Sequence, residues 1–265
     1  MPAADSAQIH PTAQVSSGAK LGHGVTVGPF AVVGNGVVIG EETSVGPHTI
    51  LKGPTRLGKR NRIVGQSAIG TDPQDLKYGG EKTSLQVGDD NIIREFVTIN
   101  RGTAQGGGKT TIGSRNLFMT GVHVAHDCHL GHDGIFANAA TLAGHVEIDN
   151  GATVGAFTGV HQFCRVGRHA FIGGYSVITR DAPPFIKVVG HRSQARTYGI
   201  NGIGLSRKGF SEERILSLRR AYRWIFRKGL TLPDAREGIR QEELATPDVE
   251  TLLQFLEAST RGFVR

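Results

Sequence analysis

The chain has 265 residues, enough for one large domain or for a large and a small one. Aromatic residues make up only 6% and glycine reaches 38 residues, which disfavours a conventional globular core and favours repetitive, turn-rich β-structure. The opening residues MPAADSAQIH are polar, and no stretch approaches the ~20 apolar residues of a membrane span. We therefore expect a cytoplasmic protein without a signal peptide and without stable membrane insertion.

The net charge of +7 is concentrated in the last third of the chain. Residues 1–182 contain 15 Lys and Arg against 14 Asp and Glu, or +1, whereas residues 183–265 contain 15 against 9, or +6. A basic segment indicates an acidic partner. No aromatic-basic RNA motif or zinc-finger spacing is present, so we predict no nucleic-acid partner and leave open an acidic protein or a phosphorylated small molecule.

An aliphatic residue recurs at every sixth position from Ile9 to Ile69, again from Val87 to Ile99, and finally from Ile112 to Ile178. Of these 26 positions, 24 are Val, Ile or Leu and two are Phe. Neither an α-helix nor an ordinary amphipathic strand has this period. Each unit is typical of one short strand and one corner, and three units close a triangular coil of about 18 residues. The repeat therefore predicts a parallel β-helix over residues 1–182 with these side chains inside.

Two segments interrupt the repeat and are predicted to protrude as loops. The first, residues 71–86, takes the place of two units and is too polar for a core, and the second, residues 101–111, is rich in glycine. Irregular loops on a repeat scaffold are where binding residues concentrate. The GGGK sequence of the second loop lacks the spacing and the following helix of a phosphate loop.

The two cysteines are predicted to be free and buried. Cys128 and Cys164 both lie four residues after an interior aliphatic residue, where small side chains prevail. They are two coils apart, roughly 9.6 Å, which exceeds the ~7 Å that a disulfide can bridge.

Seven of the eleven histidines fall between residues 123 and 169, and none of them occupies an interior position of the repeat. Because residues 18 apart stack, one strip of surface is predicted to hold His126, Gly144 and Gln162, flanked by Asp127, His145 and His161. A base, an acid beside it and an exposed backbone N–H form the elements of an acyl-transfer site. The alternative is a zinc site, as in the carbonic anhydrases that share this prism.

The segment after Ile178 changes pattern. Residues 183–265 are predicted to form a glycine-rich linker and then three helices, near 211–229, 233–245 and 247–260, with Ser211 as the first N-cap. The first helix is strongly basic, which fits either a solvated face or an acidic protein partner, and its cations are Arg214, Arg219, Arg220, Arg223, Arg227 and Lys228.

Several motifs together resemble the UDP-N-acetylglucosamine O-acyltransferases that begin lipid A synthesis. The motifs are Asp75-Leu76-Lys77-Tyr78, Arg101-Gly102-Thr103, Ala125-His126-Asp127-Cys128, Leu142-Ala143-Gly144-His145, Val160-His161-Gln162-Phe163-Cys164 and Arg207-Lys208-Gly209-Phe210. The resemblance implies a left-handed β-helix, a homotrimer with sites between subunits, and no cofactor or metal. It also implies transfer of a 3-hydroxyacyl chain from acyl carrier protein to the 3-hydroxyl of UDP-N-acetylglucosamine.

The same resemblance implies residue roles. His126 would be the general base, Asp127 would orient it, and Gly144 would supply the oxyanion N–H. The nucleotide sugar and the acyl hydroxyl would be held by Asp75, Lys77, His123, His145, His161, Gln162, Asn201 and Arg207. Gly174 would sit at the acyl-length ruler, where glycine leaves room for a long chain. The acidic carrier protein would account for the basic helix.

Two other acyltransferases of this fold remain as alternatives. One is the N-acyltransferase of the same pathway, which usually carries an extra N-terminal domain, whereas the repeat here begins at Ile9. The other is an acetyltransferase that depends on coenzyme A. The family often has a Glu where this chain has Ile203, and a His where it has Asn100.

Overall fold

The computed structural model describes residues 7–191 and 194–265. The first six residues lie outside the described residues, and the prediction that no signal peptide is present rests partly on them. The fold is the predicted left-handed parallel β-helix followed by a helical part.

Three parallel sheets form the faces of the prism, and we call them sheets A, B and C. Sheet A contains β1 (Gln8–Ile9), β4 (Thr26–Val27), β7 (Ser44–Val45), β10 (Arg62–Ile63), β13 (Ile92–Ile93), β16 (Leu117–Phe118), β19 (Ile135–Phe136), β22 (Thr153–Val154), β25 (Phe171–Ile172), β27 (Ile186–Val189) and β28 (Arg196–Ile200). Sheet B contains β2 (Gln14–Val15), β5 (Val32–Val33), β8 (Ile50–Leu51), β11 (Ala68–Thr71), β14 (Thr98–Asn100), β17 (His123–Val124), β20 (Thr141–Leu142), β23 (Gly159–Val160) and β26 (Val177–Ile178). Sheet C contains β3 (Lys20–Leu21), β6 (Val37–Ile39), β9 (Thr55–Leu57), β12 (Ser84–Val87), β15 (Lys109–Ile112), β18 (His129–Leu130), β21 (Glu147–Ile148) and β24 (Arg165–Val166).

The predicted interior positions form the core. From Val27 onward each of these side chains is at most 5% exposed, whereas Ile9 in the first coil is 45% exposed because it lies at the open end of the stack. Outside the loops, residues 18 apart pair directly, as Ile9 does with Val27. Cys128 and Cys164 are free and fully buried, as predicted.

The first loop is an insertion, and the prediction that it takes the place of two units was wrong. β11 belongs to sheet B and β12 to sheet C, so the chain reaches the very next face of the prism. The coil that contains the loop is longer by 12 residues, since Ile63 pairs with Ile93 across 30 positions. The second loop lies between β14 and β15 in the same way, at the same edge. We call residues 72–83 loop 1 and residues 101–108 loop 2.

The C-terminal part begins with strands where a linker was expected. β27 pairs in parallel with β25, and β28 pairs antiparallel with β27, so sheet A continues beyond residue 182. The helices are α1 (Gly202–Arg207), α2 (Glu212–Phe226), α3 (Leu232–Gln241) and α4 (Pro247–Glu257). Ser211 caps α2 as predicted, and its hydroxyl accepts a hydrogen bond from the Arg214 N–H. The domain boundary at 182/183 stays a prediction.

Candidate active site

One edge of the prism carries both loops and the predicted strip of polar residues. Loop 1 and loop 2 leave sheet B and enter sheet C, and His126, Gly144 and Gln162 occupy the turns between the same two sheets in the next three coils. We call this the loop edge, and we call the stack of His126, Gly144 and Gln162 with its flanking residues the column. The polar strip and both loops therefore lie on the same side of the molecule.

A histidine–aspartate pair lies at the loop edge. His126 Nδ1 is 2.8 Å from Asp127 Oδ2, and the carboxylate is fully buried while the imidazole is 14% exposed. Asp127 adopts φ +59° at the corner, a conformation that Asp tolerates better than most residues. A carboxylate only accepts hydrogen bonds, so Nδ1 carries the proton and Nε2 keeps a free lone pair. The pair is thus arranged to accept a proton at Nε2.

His145 is a second histidine beside the same carboxylate. Its Nε2 is 3.8 Å from Asp127 Oδ2, and its ring stacks on Phe163 with centroids 4.4 Å apart. Burial lowers the pKa of His145, which outweighs the opposite effect of Asp127. We therefore expect His145 to be neutral near pH 7 and to serve as a hydrogen-bonding group.

Gly144 lies against the imidazole of His126. A Cβ at this position would be 2.6 Å from His126 Cε1 and 2.8 Å from Nε2, so only glycine leaves the ring in place. Within the described residues the Gly144 N–H has no hydrogen-bond acceptor, whereas the neighbouring N–H groups of Ala143 and His145 donate to backbone carbonyls. This N–H is free to face a developing oxyanion.

Further predicted residues surround this centre. His123 Nδ1 is 2.7 Å from Thr98 Oγ1, and burial lowers the pKa of His123. His161 begins the next turn of the column, with Nδ1 3.1 Å from the Gln162 carbonyl oxygen. In loop 1, Asp75 Oδ1 accepts a hydrogen bond of 2.9 Å from the Lys77 N–H. Loop 1 leaves sheet B and enters sheet C at the loop edge, so Asp75 lies on the same edge as His145.

Three predicted residues lie at other edges of the prism. Gly174 follows β25 and lies at the edge between sheets A and B. Asn201 donates from Nδ2 to the His169 carbonyl at the edge between sheets C and A, and Arg207 ends the helix that begins there. One chain therefore does not bring Gly174, Asn201 and Arg207 to His126.

The ligand atoms of His126, Asp127 and His145 lie within 4.8 Å of one another, a spacing that a metal ion could bridge. Both carboxylate oxygens are nevertheless engaged. Oδ1 accepts from the Thr103 N–H at 2.8 Å, and Oδ2 accepts from the Thr103 hydroxyl at 2.7 Å as well as from His126. This arrangement favours a carboxylate that orients an imidazole over one that ligates a metal.

Sequence reasoning assigned no role to Thr103, Arg101 or Phe163, although all three contribute to the site. Arg101 is 6% exposed and donates to the Gly70 carbonyl at 2.6 Å and to the Tyr78 hydroxyl at 3.1 Å, so it fastens loop 1. The conspicuous Arg-Gly-Thr sequence was the only signal that could have pointed to the first two. Phe163 follows Gln162 in the column, and the 18-residue spacing from His145 could have indicated the stack.

Comparisons with known proteins cover almost the whole chain. A family model described as UDP N-acetylglucosamine O-acyltransferase, domain 2, matches residues 181–264. The acyl-[acyl-carrier-protein]–UDP-N-acetylglucosamine O-acyltransferase of Halorhodospira halophila is 54% identical over 258 residues, which are 97% of this chain and 99% of that protein. The chain belongs to the UDP-N-acetylglucosamine O-acyltransferase family.

Solved structures of the family show the same fold. The UDP-N-acetylglucosamine acyltransferase of Francisella novicida is 39% identical with a TM-score of 0.93, covering 97% of this chain and 94% of that one. The Moraxella catarrhalis enzyme is 40% identical with a TM-score of 0.92, covering 97% and 99%. The chain is thus an acyltransferase of this family. None of the helices in the described parts of the chain is long and apolar enough to cross a membrane.

Proposed function

We propose that His126 is the general base, held by Asp127, of the acyl transfer that this family catalyses. The chain transfers a 3-hydroxyacyl group from acyl carrier protein to the 3-hydroxyl of UDP-N-acetylglucosamine, the first step of lipid A biosynthesis. The observation that carries the residue assignment is the 2.8 Å contact of His126 Nδ1 with a carboxylate that is fully buried.

The chemistry follows from this geometry. His126 Nε2 takes the proton of the sugar 3-hydroxyl as its oxygen attacks the thioester carbonyl. The Gly144 N–H stabilises the oxyanion that forms. When the intermediate collapses, the C–S bond breaks, and the departing thiolate of the carrier takes the proton from the His126 imidazolium. Asp127 stabilises the imidazolium between these steps without itself being protonated.

The surrounding polar residues are proposed to bind the substrates. Asp75 and Lys77 on loop 1, together with His123, His145, His161 and Gln162 along the column, would hold the sugar and the acyl hydroxyl. Asn201 and Arg207 would bind the nucleotide. At Gly174 the absence of a side chain would leave room for a long acyl chain, so replacing the glycine by Met should shift preference toward shorter chains. An unchanged profile across a ladder of 3-hydroxyacyl carrier proteins would place the ruler elsewhere.

The test of the base is His126→Ala. Because the imidazole lies outside the interior of the coil, we expect turnover to fall by a factor on the order of 10²–10⁴ while the circular dichroism spectrum stays that of the folded protein, with Tm lowered modestly because the buried Asp127 carboxylate loses one donor. Near-normal turnover would refute the assignment. Metal analysis of the purified protein separates the zinc alternative, since stoichiometric zinc would support ligation by His126 and His145.

We further propose a homotrimer whose sites lie between subunits. Support comes from the separation of the predicted residues, since His126, Gly174 and Arg207 lie at three different edges of one prism. Neighbouring copies around an axis parallel to the prism could bring such edges together. Sedimentation should give three times the chain mass of 28.3 kDa. A fully active monomer would contradict this proposal.

Subunit mixing tests the shared site directly. His126→Ala and Arg207→Ala are each expected to be inactive as homotrimers, but co-expression would create interfaces that carry both native residues. Recovered turnover in the mixed sample would support a site between subunits. Absence of recovery, with mixed trimers verified by mass spectrometry, would place both residues in one subunit's site.

The carrier protein is proposed to dock on α2. Two of the six cations predicted to attract it are paired within the chain, Arg214 with Asp248 and Arg220 with Glu242. Arg219 and Arg223 lie four residues apart on one side of the helix and have no ion-pair partner among the described residues, whereas Arg227 at the C-cap donates to the Thr197 carbonyl at 3.2 Å. Arg223→Glu should raise KM for acyl carrier protein and leave KM for the nucleotide sugar unchanged.

The free buried cysteines fit a reducing compartment, so we also propose a cytoplasmic location.

A further inference from the structure

The carboxylate of Asp127 is held by a residue that lies 24 positions earlier in the chain. The Thr103 N–H donates to Oδ1 at 2.8 Å, and the Thr103 hydroxyl donates to Oδ2 at 2.7 Å. Thr103 is itself 6% exposed, and Asp127 is 1% exposed. Two donors on two different oxygens fix the rotation of the carboxylate about its Cβ–Cγ bond.

Thr103 also folds loop 2 over this carboxylate. Its carbonyl accepts hydrogen bonds from the Gly106 N–H at 3.2 Å and the Gly108 N–H at 2.7 Å, and its hydroxyl accepts one from Gly106 at 3.1 Å. A Cβ on Gly106 would collide with the Asp127 carboxyl group, so the glycine backbone lies directly against it. The loop excludes solvent from Asp127, which strengthens each hydrogen bond that the carboxylate accepts.

Two histidines lie near one oxygen of this carboxylate, and only His126 is within hydrogen-bonding distance. His126 Nδ1 lies 2.8 Å from Oδ2, and His145 Nε2 lies 3.8 Å from the same atom. Rotation of the carboxylate about its Cβ–Cγ bond would move Oδ2 away from His126 Nδ1. A group that fixes this rotation therefore keeps the carboxylate bonded to His126.

We propose that Thr103 is a positioning residue that locks Asp127 onto His126 and so keeps His126 Nε2 available as the base. This inference rests on the proposed function of His126. Thr103 contacts the carboxylate and, in this assignment, neither substrate nor the reacting atoms. Its loss should lower kcat and leave KM for both substrates unchanged.

The experiment compares three substitutions of buried threonine hydroxyls. Thr103→Val removes the hydroxyl and keeps the backbone N–H, and we expect kcat to fall about tenfold or more with KM changed less than about twofold. Thr103→Ser keeps both donors, and kcat should stay within about threefold of the native value. Thr43 lies away from the loop edge, and its hydroxyl donates to the Gly58 carbonyl at 2.9 Å. Thr43→Val removes that hydroxyl and should leave kcat unchanged. Thr103→Ala serves as a second variant if the valine side chain prevents folding.

A double-mutant cycle with Asp127→Ala separates positioning from a general structural role. If Thr103 acts through Asp127, then Thr103→Val should lower kcat by less than about twofold once the carboxylate is gone. An equal loss of kcat in the native and the Asp127→Ala backgrounds would overturn the proposal. Native kcat in Thr103→Val would also overturn it, and so would a kcat of Thr103→Ser as low as that of Thr103→Val.

His126→Ala, measured in parallel, distinguishes the two failures. Lost turnover in His126→Ala together with native turnover in Thr103→Val would overturn the positioning role alone. Near-normal turnover in His126→Ala would overturn the base assignment and the positioning role with it.

Discussion

Adding one methyl group at Gly144 should displace the imidazole of His126, the proposed base, while the imidazole itself stays chemically unaltered. The new Cβ would lie 2.6 Å from His126 Cε1, whereas ordinary contact begins at 3.4 Å, so the ring must retreat by about 0.8 Å. The backbone N–H of residue 144 remains in Gly144→Ala, and its φ is not among the positive values, so alanine fits the backbone. The variant therefore isolates the position of the imidazole from the oxyanion donor.

The expected loss follows from how steeply catalysis depends on geometry. A misplacement of about 1 Å lowers rates by about 10²-fold, so kcat/KM should fall by a factor on the order of 10². That corresponds to about 2.7 kcal/mol of transition-state stabilisation. Replacing glycine by alanine stabilises by about 0.4–1 kcal/mol through the unfolded chain, which offsets part of the cost of moving the imidazole, so we expect Tm to change by only a few degrees.

The assay is steady-state acyl transfer from a 3-hydroxyacyl carrier protein to UDP-N-acetylglucosamine, alongside thermal unfolding. Gly159→Ala is the matched control, since a Cβ there meets no heavy atom within 4 Å and kcat/KM should stay native. Native kcat/KM in Gly144→Ala would refute the reasoning, because it would mean that the ring tolerates the displacement or takes no part in turnover.

Three other perturbations test the anchoring of loop 1, the ladder of buried asparagines in which Asn61, Asn91 and Asn116 hydrogen-bond from coil to coil, and acid sensitivity. Arg101→Met should raise KM for UDP-N-acetylglucosamine about tenfold at nearly unchanged kcat, because the guanidinium fastens the loop proposed to bind the sugar; an unchanged KM would contradict this. Asn91→Leu should destabilise the fold by about 3–5 kcal/mol in urea titration, since the buried side chain makes four hydrogen bonds whose partners would be left unpaired. A loss below about 1 kcal/mol would contradict the role of the ladder. Burial lowers the pKa of His123, His145 and His169 below the ~6.5 of an unfolded chain, so the unfolded state binds more protons and the unfolding free energy should fall as pH drops from about 7.5 to 5. His169→Gln should flatten that slope, and an unaltered slope would count against the buried imidazole as its source.

The prism was predictable because its core repeats. An aliphatic side chain at every sixth position identifies the interior without any knowledge of contacts, and the same period places His126 above Gly144. The register observed between Val124 and Leu142 is the 18-residue step on which that stacking depends. The first coil was the weaker part of the prediction, because Ile9 has no preceding coil to cover it.

The loops were predictable as interruptions but not as contacts. Counting residues in units of six suggested that loop 1 takes the place of two units, since 18 residues separate Ile69 from Val87. Only the pairing of strands shows that the chain advances a single face, which is what puts both loops at the loop edge. The hydrogen bonds of Thr103 to Asp127 depend on loop conformation, for which the period carries no information.

Different parts of the fold fix the backbone and the side chain of Asp127. Asp127 donates its backbone N–H to Thr110 Oγ1 at 2.8 Å and lies at a corner between paired strands, so the coil fixes its backbone. The direction of its carboxylate is set instead by Thr103, on a loop outside the prism. The repeat places His126 beside Asp127 and, 18 residues after Asp127, stacks His145 at the same corner of the next coil, so two imidazoles approach one carboxylate. Because the repeat fixes the corner backbone but not the rotation of this carboxylate, the contact that holds the carboxylate on His126 has to come from outside the repeat, and loop 2 is the interruption that supplies it.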